Sequence, residues 1–304
     1  MERMDMADQL LKEEKYAEAI ALLEELKLAN PDEESILLRL AWAYHDKGAT
    51  AKAVEYLEIL LDRELQRKIF TGFAFDELVR IYKQEKNFSK LVEICATAAA
   101  RQPDDVCLLS ELGNAYLLAD NTGEACRAFE KLVEMENDNP SFYCLLGEAL
   151  FADGKITESE AAFLQAGKID FDQTDRYYYK MANLYSKSRD FENAKRLLDA
   201  CIAEKPANPL YHCCLGDALA GLGRIIDAQS EYEKAIQLDN SGAGAYYNRF
   251  GNLLARSNYH HEAMEAFRKA LEIEPGNPVY TRHLALSYKA LGLLDIADGI
   301  GKET

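Results

Sequence analysis

The chain has 304 residues, 48% of them hydrophobic, which excludes a disordered chain; its formal charge of −17 argues against a phosphate-backbone ligand, because nucleic-acid binding draws on clustered Lys and Arg. Seven cysteines, an odd number with no C-x-x-C, argue for reduced thiols in a cytosolic setting rather than a disulfide framework. Only seven prolines and seventeen glycines interrupt a sequence rich in Ala, Leu, Glu and Lys, a composition that favours helix throughout.

The start, MERMDMADQLLKEEKY, has no basic region followed by an apolar one, and no run of 18 apolar residues occurs along the chain. No membrane span is expected, and the expected location is cytoplasmic; a leader peptide trimmed from the given sequence is the open alternative. A single spacing of about 34 residues then recurs, with each copy reading as two short amphipathic helices and a tight turn. The first copy, about residues 1–33, has Ala19 at position 20 and Leu23 at 24. The second, 34–67, has Leu40-Ala41 at 7–8, Tyr44 at 11, Ala53 at 20 and Leu57 at 24. Its position 32 is Leu65, and four extra residues, Lys68 to Thr71, follow. Four residues are about one helical turn, so this second helix is expected to run on and disturb the stacking locally.

The third copy, 72–105, carries Phe75, Leu78, Tyr82 and Pro103, with Val79 and Leu91 at positions the other copies give to small residues. The fourth, 106–139, has Leu112-Gly113, Tyr116, Ala125 and Phe129; the fifth, 140–173, has Tyr143, Leu146-Gly147, Leu150 and Phe163, with Ser159 at position 20. The sixth, 175–208, has Tyr178, Met181-Ala182, Tyr185, Ala194, Leu198 and Pro206; the seventh, 209–242, has Leu215-Gly216, Leu219, Ala228, Tyr232 and Ala235. The eighth, 244–277, is the clearest: Tyr247, Phe250, Gly251, Leu254, Ala263, Phe267, Ala270 and Pro275 stand at 4, 7, 8, 11, 20, 24, 27 and 32. Residues 278–304 begin a ninth copy with Leu284-Ala285 and Tyr288, which can serve as a capping helix.

This pattern of large-small, aromatic, Ala, Phe, Ala and Pro resembles the tetratricopeptide repeat (TPR) family, in register over nearly the whole chain. Large residues fill the seam between helices, small ones let backbones approach, and Pro ends the second helix. The resemblance implies an all-α, right-handed α-solenoid superhelix of stacked helix-turn-helix repeats, one array over 1–304. It also implies a non-catalytic protein–protein interaction scaffold.

Catalytic patterns are missing. Neither G-x-x-x-x-G-K-[ST] nor G-x-G-x-x-G occurs. His261-Glu262 resembles the start of H-E-x-x-H, but residue 265 is Glu, so the second zinc ligand is missing. His260 and His261 fall where a second helix starts and read as a polar helix start. Every segment is already used as a repeat, so no enzyme activity, cofactor or metal is expected.

In the family, positions 2, 5, 9, 12 and 13, with 6 nearby, point from the first helices into a concave groove. The N-terminal copies put Asp5, Asp8, Asp46, Asp76, Glu77, Glu111 and Glu148 there, relieved by Arg39, Arg80 and Lys83. Further on the sign reverses. The sixth copy offers Arg176, Tyr179, Lys180, Asn183 and Lys187, the eighth Asn248, Arg249, Asn252 and Arg256, the ninth Arg282, His283 and Lys289; Asp217 is the exception. The whole chain follows the same trend, with about −15 over residues 1–160 and about −2 over 161–304. Such a set suits an extended acidic peptide or a C-terminal carboxylate.

Chaperone-binding members of the family use a carboxylate clamp, which Asn183 and Arg249 match; Tyr179, Cys214 and Ala245 depart from it, so binding of a chaperone C-terminus is not expected. Cys144 and Cys213, at position 5, are expected to line the groove. The expected partners are proteins or peptides and not nucleic acid. Two alternatives stand beside the peptide-binding scaffold: self-assembly into a homo-oligomeric scaffold, and an accessory or assembly-factor subunit whose catalytic partner is another chain.

Overall fold

A computed structural model describes residues 2–67 and 72–300; the extra residues Lys68 to Thr71 lie outside that range. Among the described residues there are eighteen α-helices and no strand, and none of the helices is long and apolar enough to cross a membrane. The chain divides into two compact units, 1–135 and 136–304.

The first unit contains α1 (Glu2–Lys12), α2 (Tyr16–Ala29), α3 (Glu34–Asp46), α4 (Thr50–Gln66), α5 (Phe73–Gln84), α6 (Phe88–Arg101), α7 (Val106–Leu118) and α8 (Thr122–Met135). The second contains α9 (Pro140–Ala152), α10 (Ile156–Ile169), α11 (Thr174–Lys187), α12 (Phe191–Glu204), α13 (Pro209–Gly221), α14 (Ile225–Leu238), α15 (Ala243–Arg256), α16 (His260–Ile273), α17 (Pro278–Ala290) and α18 (Leu294–Ile300). Within each unit consecutive helices pack as hairpins, and hairpins stack on their neighbours. The helix α4 has 17 residues where α2, α6 and α10 have 14, so it is the longer second helix that the missing proline led one to expect.

Volume is balanced across each hairpin. Gly113, Gly147, Gly216 and Gly251 sit at position 8, and a Cβ there would meet the ring of Phe129, Phe163, Tyr232 or Phe267 at under 3 Å. Where position 8 is Ala, as in Ala41 and Ala182, position 24 is Leu57 or Leu198; where it is Val79, position 24 is Cys95. All of these side chains belong to the buried core. Ser159, fully buried at a position usually given to Ala, donates its hydroxyl to the carbonyl of Gly147 at 2.7 Å, which satisfies the polar group.

Turns and caps follow from local chemistry. Asn139, Asn208 and Asn277 each cap a first helix that opens on proline (Pro140, Pro209, Pro278), where a missing N–H costs nothing. The two places where the repeat slips by one residue are taken up by short 3₁₀ turns, Phe171–Gln173 and Asn240–Gly242. Both are fastened alike: Tyr177 donates to Asp170, and Tyr246 to Asp239, at 2.9 Å.

A candidate peptide-binding pocket

The second unit holds a pocket of about 810 Å³. Its wall comes from α11, α13, α15 and α17, the first helices of successive hairpins, and from the start of α12. Residues one turn apart on a helix share a face, so α15 contributes Asn248, Arg249, Asn252 and Arg256 together. Asp217 and Gly221 come from α13, His283 from α17, Ser186 from the end of α11, and Arg189 from the turn after it. Gly221 lets the Phe191 ring lie against the helix; a Cβ there would meet the ring at 2.6 Å.

Polar contacts fix the shape of this surface. Tyr232 donates its hydroxyl to one carboxylate oxygen of Asp217, and Arg249 donates to the other through Nε at 3.0 Å and through Nη2. Arg249 also reaches Cys214 Sγ at 3.6 Å, and that sulfur lies 3.8 Å from the Tyr179 hydroxyl. Burial works against the Arg249 charge, but Asp217 more than offsets it and raises the pKa of the guanidinium. Burial, and then Asp217, holds the Tyr232 phenol firmly protonated.

On the other side, His283 Nδ1 donates to Asn248 Oδ1 at 2.8 Å, and Asn252 donates to the Asn248 carbonyl at 3.0 Å while lying 3.3 Å from the same imidazole nitrogen. Burial and the neighbouring Arg282 lower the pKa of His283, so the ring is held neutral near pH 7.

The cations differ in how they are compensated. Arg249 is paired with Asp217. Among the described residues, no carboxylate or hydrogen-bond acceptor engages the guanidinium of Arg189 or Arg256. The pocket thus presents unbalanced positive charge beside the side-chain amides of Asn248 and Asn252.

Of the residues singled out from the sequence, Asn248, Arg249, Asn252 and Arg256 line the pocket; Arg176, Tyr179, Lys180, Asn183, Lys187 and Arg282 do not. Arg176 is exposed and bonded to Gln173, and Lys180 is exposed, 3.8 Å from Glu148. Tyr179 and Asn183 are half-buried, the Tyr179 ring 5.4 Å from Tyr211; Lys187 and Arg282 are exposed. Cys144 and Cys213, expected in the groove, are instead buried in the core, because position 5 on these helices turns into the hairpin stack. Cys214, the next residue, is the sulfur that meets the pocket network. Arg189 was not anticipated; its signal is a charged residue at position 15, a turn position that is Gly in several other copies. Among the described residues, no cluster of three or more His, Cys, Asp or Glu side chains is arranged to hold a metal.

Three family models described as Tetratricopeptide repeat match the chain, over residues 10–68, 110–172, and 175–208, 211–241 and 244–277. The chain is similar to small glutamine-rich tetratricopeptide repeat-containing protein 2 of Mycosarcoma maydis, 28% identical over 109 residues, which are 36% of this chain and 31% of that protein. DnaJ homolog subfamily C member 7 of Homo sapiens is 24% identical over 163 residues, 54% of this chain and 28% of that protein. Protein O-mannosyl-transferase TMTC3 of Homo sapiens is 22% identical over 194 residues, 64% of this chain but 19% of its own length. The chain therefore spans less than a third of each of these relatives. Among solved structures, a tetratricopeptide repeat protein from Parabacteroides merdae shares the fold at a TM-score of 0.53 and 16% identity, covering 84% of this chain and 98% of its own.

Proposed function

The chain belongs to the tetratricopeptide repeat family, and from that premise we propose that it is a non-catalytic interaction scaffold whose second unit binds an acidic peptide segment of a partner protein. One observation carries this reading: the pocket of about 810 Å³ gathers Asn248, Arg249, Asn252 and Arg256 with Arg189 around one carboxylate, Asp217. Two guanidiniums without a partner among the described residues attract carboxylates, and the side-chain amides of Asn248 and Asn252 can offer hydrogen-bonding groups to a peptide backbone. The mannosyl-transferase activity in the name of one relative is that protein's own, since the alignment leaves most of it uncovered.

The test is a titration of a fluorescein-labelled glutamate–serine repeat peptide, read by anisotropy. Arg256→Glu is expected to weaken binding about tenfold. Arg249→Glu is expected to weaken it at least as much, because it also leaves the Asp217 carboxylate without its cation. Ellipticity at the helix band should stay unchanged in both. Affinity equal to the parent in the doubly reversed protein would remove the pocket from consideration.

A further inference from the structure

The first unit carries an aromatic surface that the acidic-peptide pocket does not explain. Trp42 on α3 is 45% exposed and Phe73 on α5 is 38% exposed, large apolar areas to leave in water. Their rings meet edge to face with centroids 5.9 Å apart, which sets these faces of α3 and α5 side by side. Asp46 follows Trp42 by four residues and Asp76 follows Phe73 by three, so each carboxylate shares the face of its aromatic neighbour.

Charge on this surface is unevenly compensated. Arg39 pairs with Asp8 at 2.5 Å, Arg80 with Glu77 at 2.6 Å, and Lys83 with Glu111. These are the three cations the sequence offered in relief, and all are engaged elsewhere. Among the described residues the Asp76 carboxylate has no hydrogen-bond or ion-pair partner, while its backbone N–H donates to the Gly72 carbonyl; Asp46 meets the imidazole of His45 at 3.4 Å. Partial burial first, then Glu111, Glu64 and Glu77, pushes the Asp76 carboxyl above its ordinary range. An added cation would relieve that repulsion.

We propose that Trp42, Phe73, Asp46 and Asp76 form a second docking surface, for a basic peptide segment that seats an arginine or lysine side chain against the two rings and between the two carboxylates. The rings supply a cation–π face and apolar cover for the aliphatic stem, and the carboxylates supply hydrogen-bond acceptors for the head. The ligand is opposite in charge to that of the second unit, so the two readings stand or fall separately.

Trp42 is the sole tryptophan of the sequence, so intrinsic fluorescence reports on this surface directly. An arginine–serine repeat peptide is expected to change Trp42 emission saturably, and a glutamate–serine peptide to leave it unchanged. Asp76→Asn should weaken binding about tenfold, and added salt should weaken it further. With the peptide labelled instead, anisotropy should show the loss in Trp42→Ala, and Arg256→Glu should leave it unaltered. An emission spectrum indifferent to the basic peptide overturns the proposal, as does parental affinity in both Asp76→Asn and Trp42→Ala with helix content intact. A change in emission that follows protein concentration alone, with larger species in light scattering, assigns the surface to a second copy of the chain and equally overturns it.

Discussion

Arg189 carries charge into the proposed binding pocket at a cost to the fold. It occupies position 15 with φ 65, the left-handed region that disfavours any side chain bearing a Cβ. Gly48, Gly154, Gly223 and Gly292 take the same position with φ between 77 and 82, where glycine is free of the penalty. A glycine at 189 would suit the backbone better, yet it would remove one of the two guanidiniums in the pocket that have no partner among the described residues. Arg189→Gly is therefore expected to hold thermal stability or raise it by up to about 1 kcal/mol, the scale of the left-handed penalty less the larger chain entropy of glycine. It should weaken the acidic peptide about threefold. A melting curve and an anisotropy titration on the same preparation check both halves; lower stability with unchanged affinity would show that the side chain serves the fold instead. Asp217 acts in the opposite sense. It receives Tyr232 from inside and Arg249 from the surface, and thereby fixes one cation in place while neutralising it.

Helix hairpins are where most of the fold could be read in advance. The 34-residue register places the second helices from α2 to α16, and the two one-residue slips coincide with the 3₁₀ turns at 171–173 and 240–242. The register was legible because seam residues obey volume, a property each residue carries by itself. The pairing of positions 8 and 24 makes this testable. Gly147→Ala introduces a Cβ about 2.7 Å from the Phe163 ring, and the overpacking should outweigh the gain in helix propensity by about 1 kcal/mol. Phe163→Leu in that background recreates the Ala182–Leu198 combination found elsewhere in the unit, so the double variant should be more stable than additivity allows. Additive shifts in thermal midpoint would mean the two positions do not share one space. The pocket was only half legible, for a related reason. Periodicity put Asn248, Arg249, Asn252 and Arg256 on one face of α15, and they line the pocket. Whether Lys180 stays available depends on Glu148 of a different helix, 3.8 Å away, and whether Cys213 faces solvent depends on the tilt of α13; neither is a property of the residue's own segment.

At the scale of the whole chain, each unit is built around its own core, one running from Ala7 to Ala115 and the other from Cys144 to Ala297. In a stack of hairpins each element leans mainly on its neighbours, so cooperativity is a matter of how continuous the core is. The cysteines offer a direct measurement. Cys95, Cys126, Cys144, Cys201, Cys213 and Cys214 are buried, and Cys107 is exposed. Burial pushes the thiols of Cys95, Cys201 and Cys213 up to about 12 and that of Cys144 up to about 11, so near pH 8 they remain protonated as well as shielded. Brief alkylation of the native protein at that pH should modify Cys107 and spare these four. In rising urea, Cys144 on α9 and Cys213 on α13 should lose protection at the same concentration, because one uninterrupted core joins them. Mass spectrometry of the alkylated peptides resolves the two sites. If Cys213 became reactive while Cys144 stayed protected, the stack would open hairpin by hairpin, and the proposed peptide pocket around α13 and α15 could then be lost without unfolding the rest of its unit.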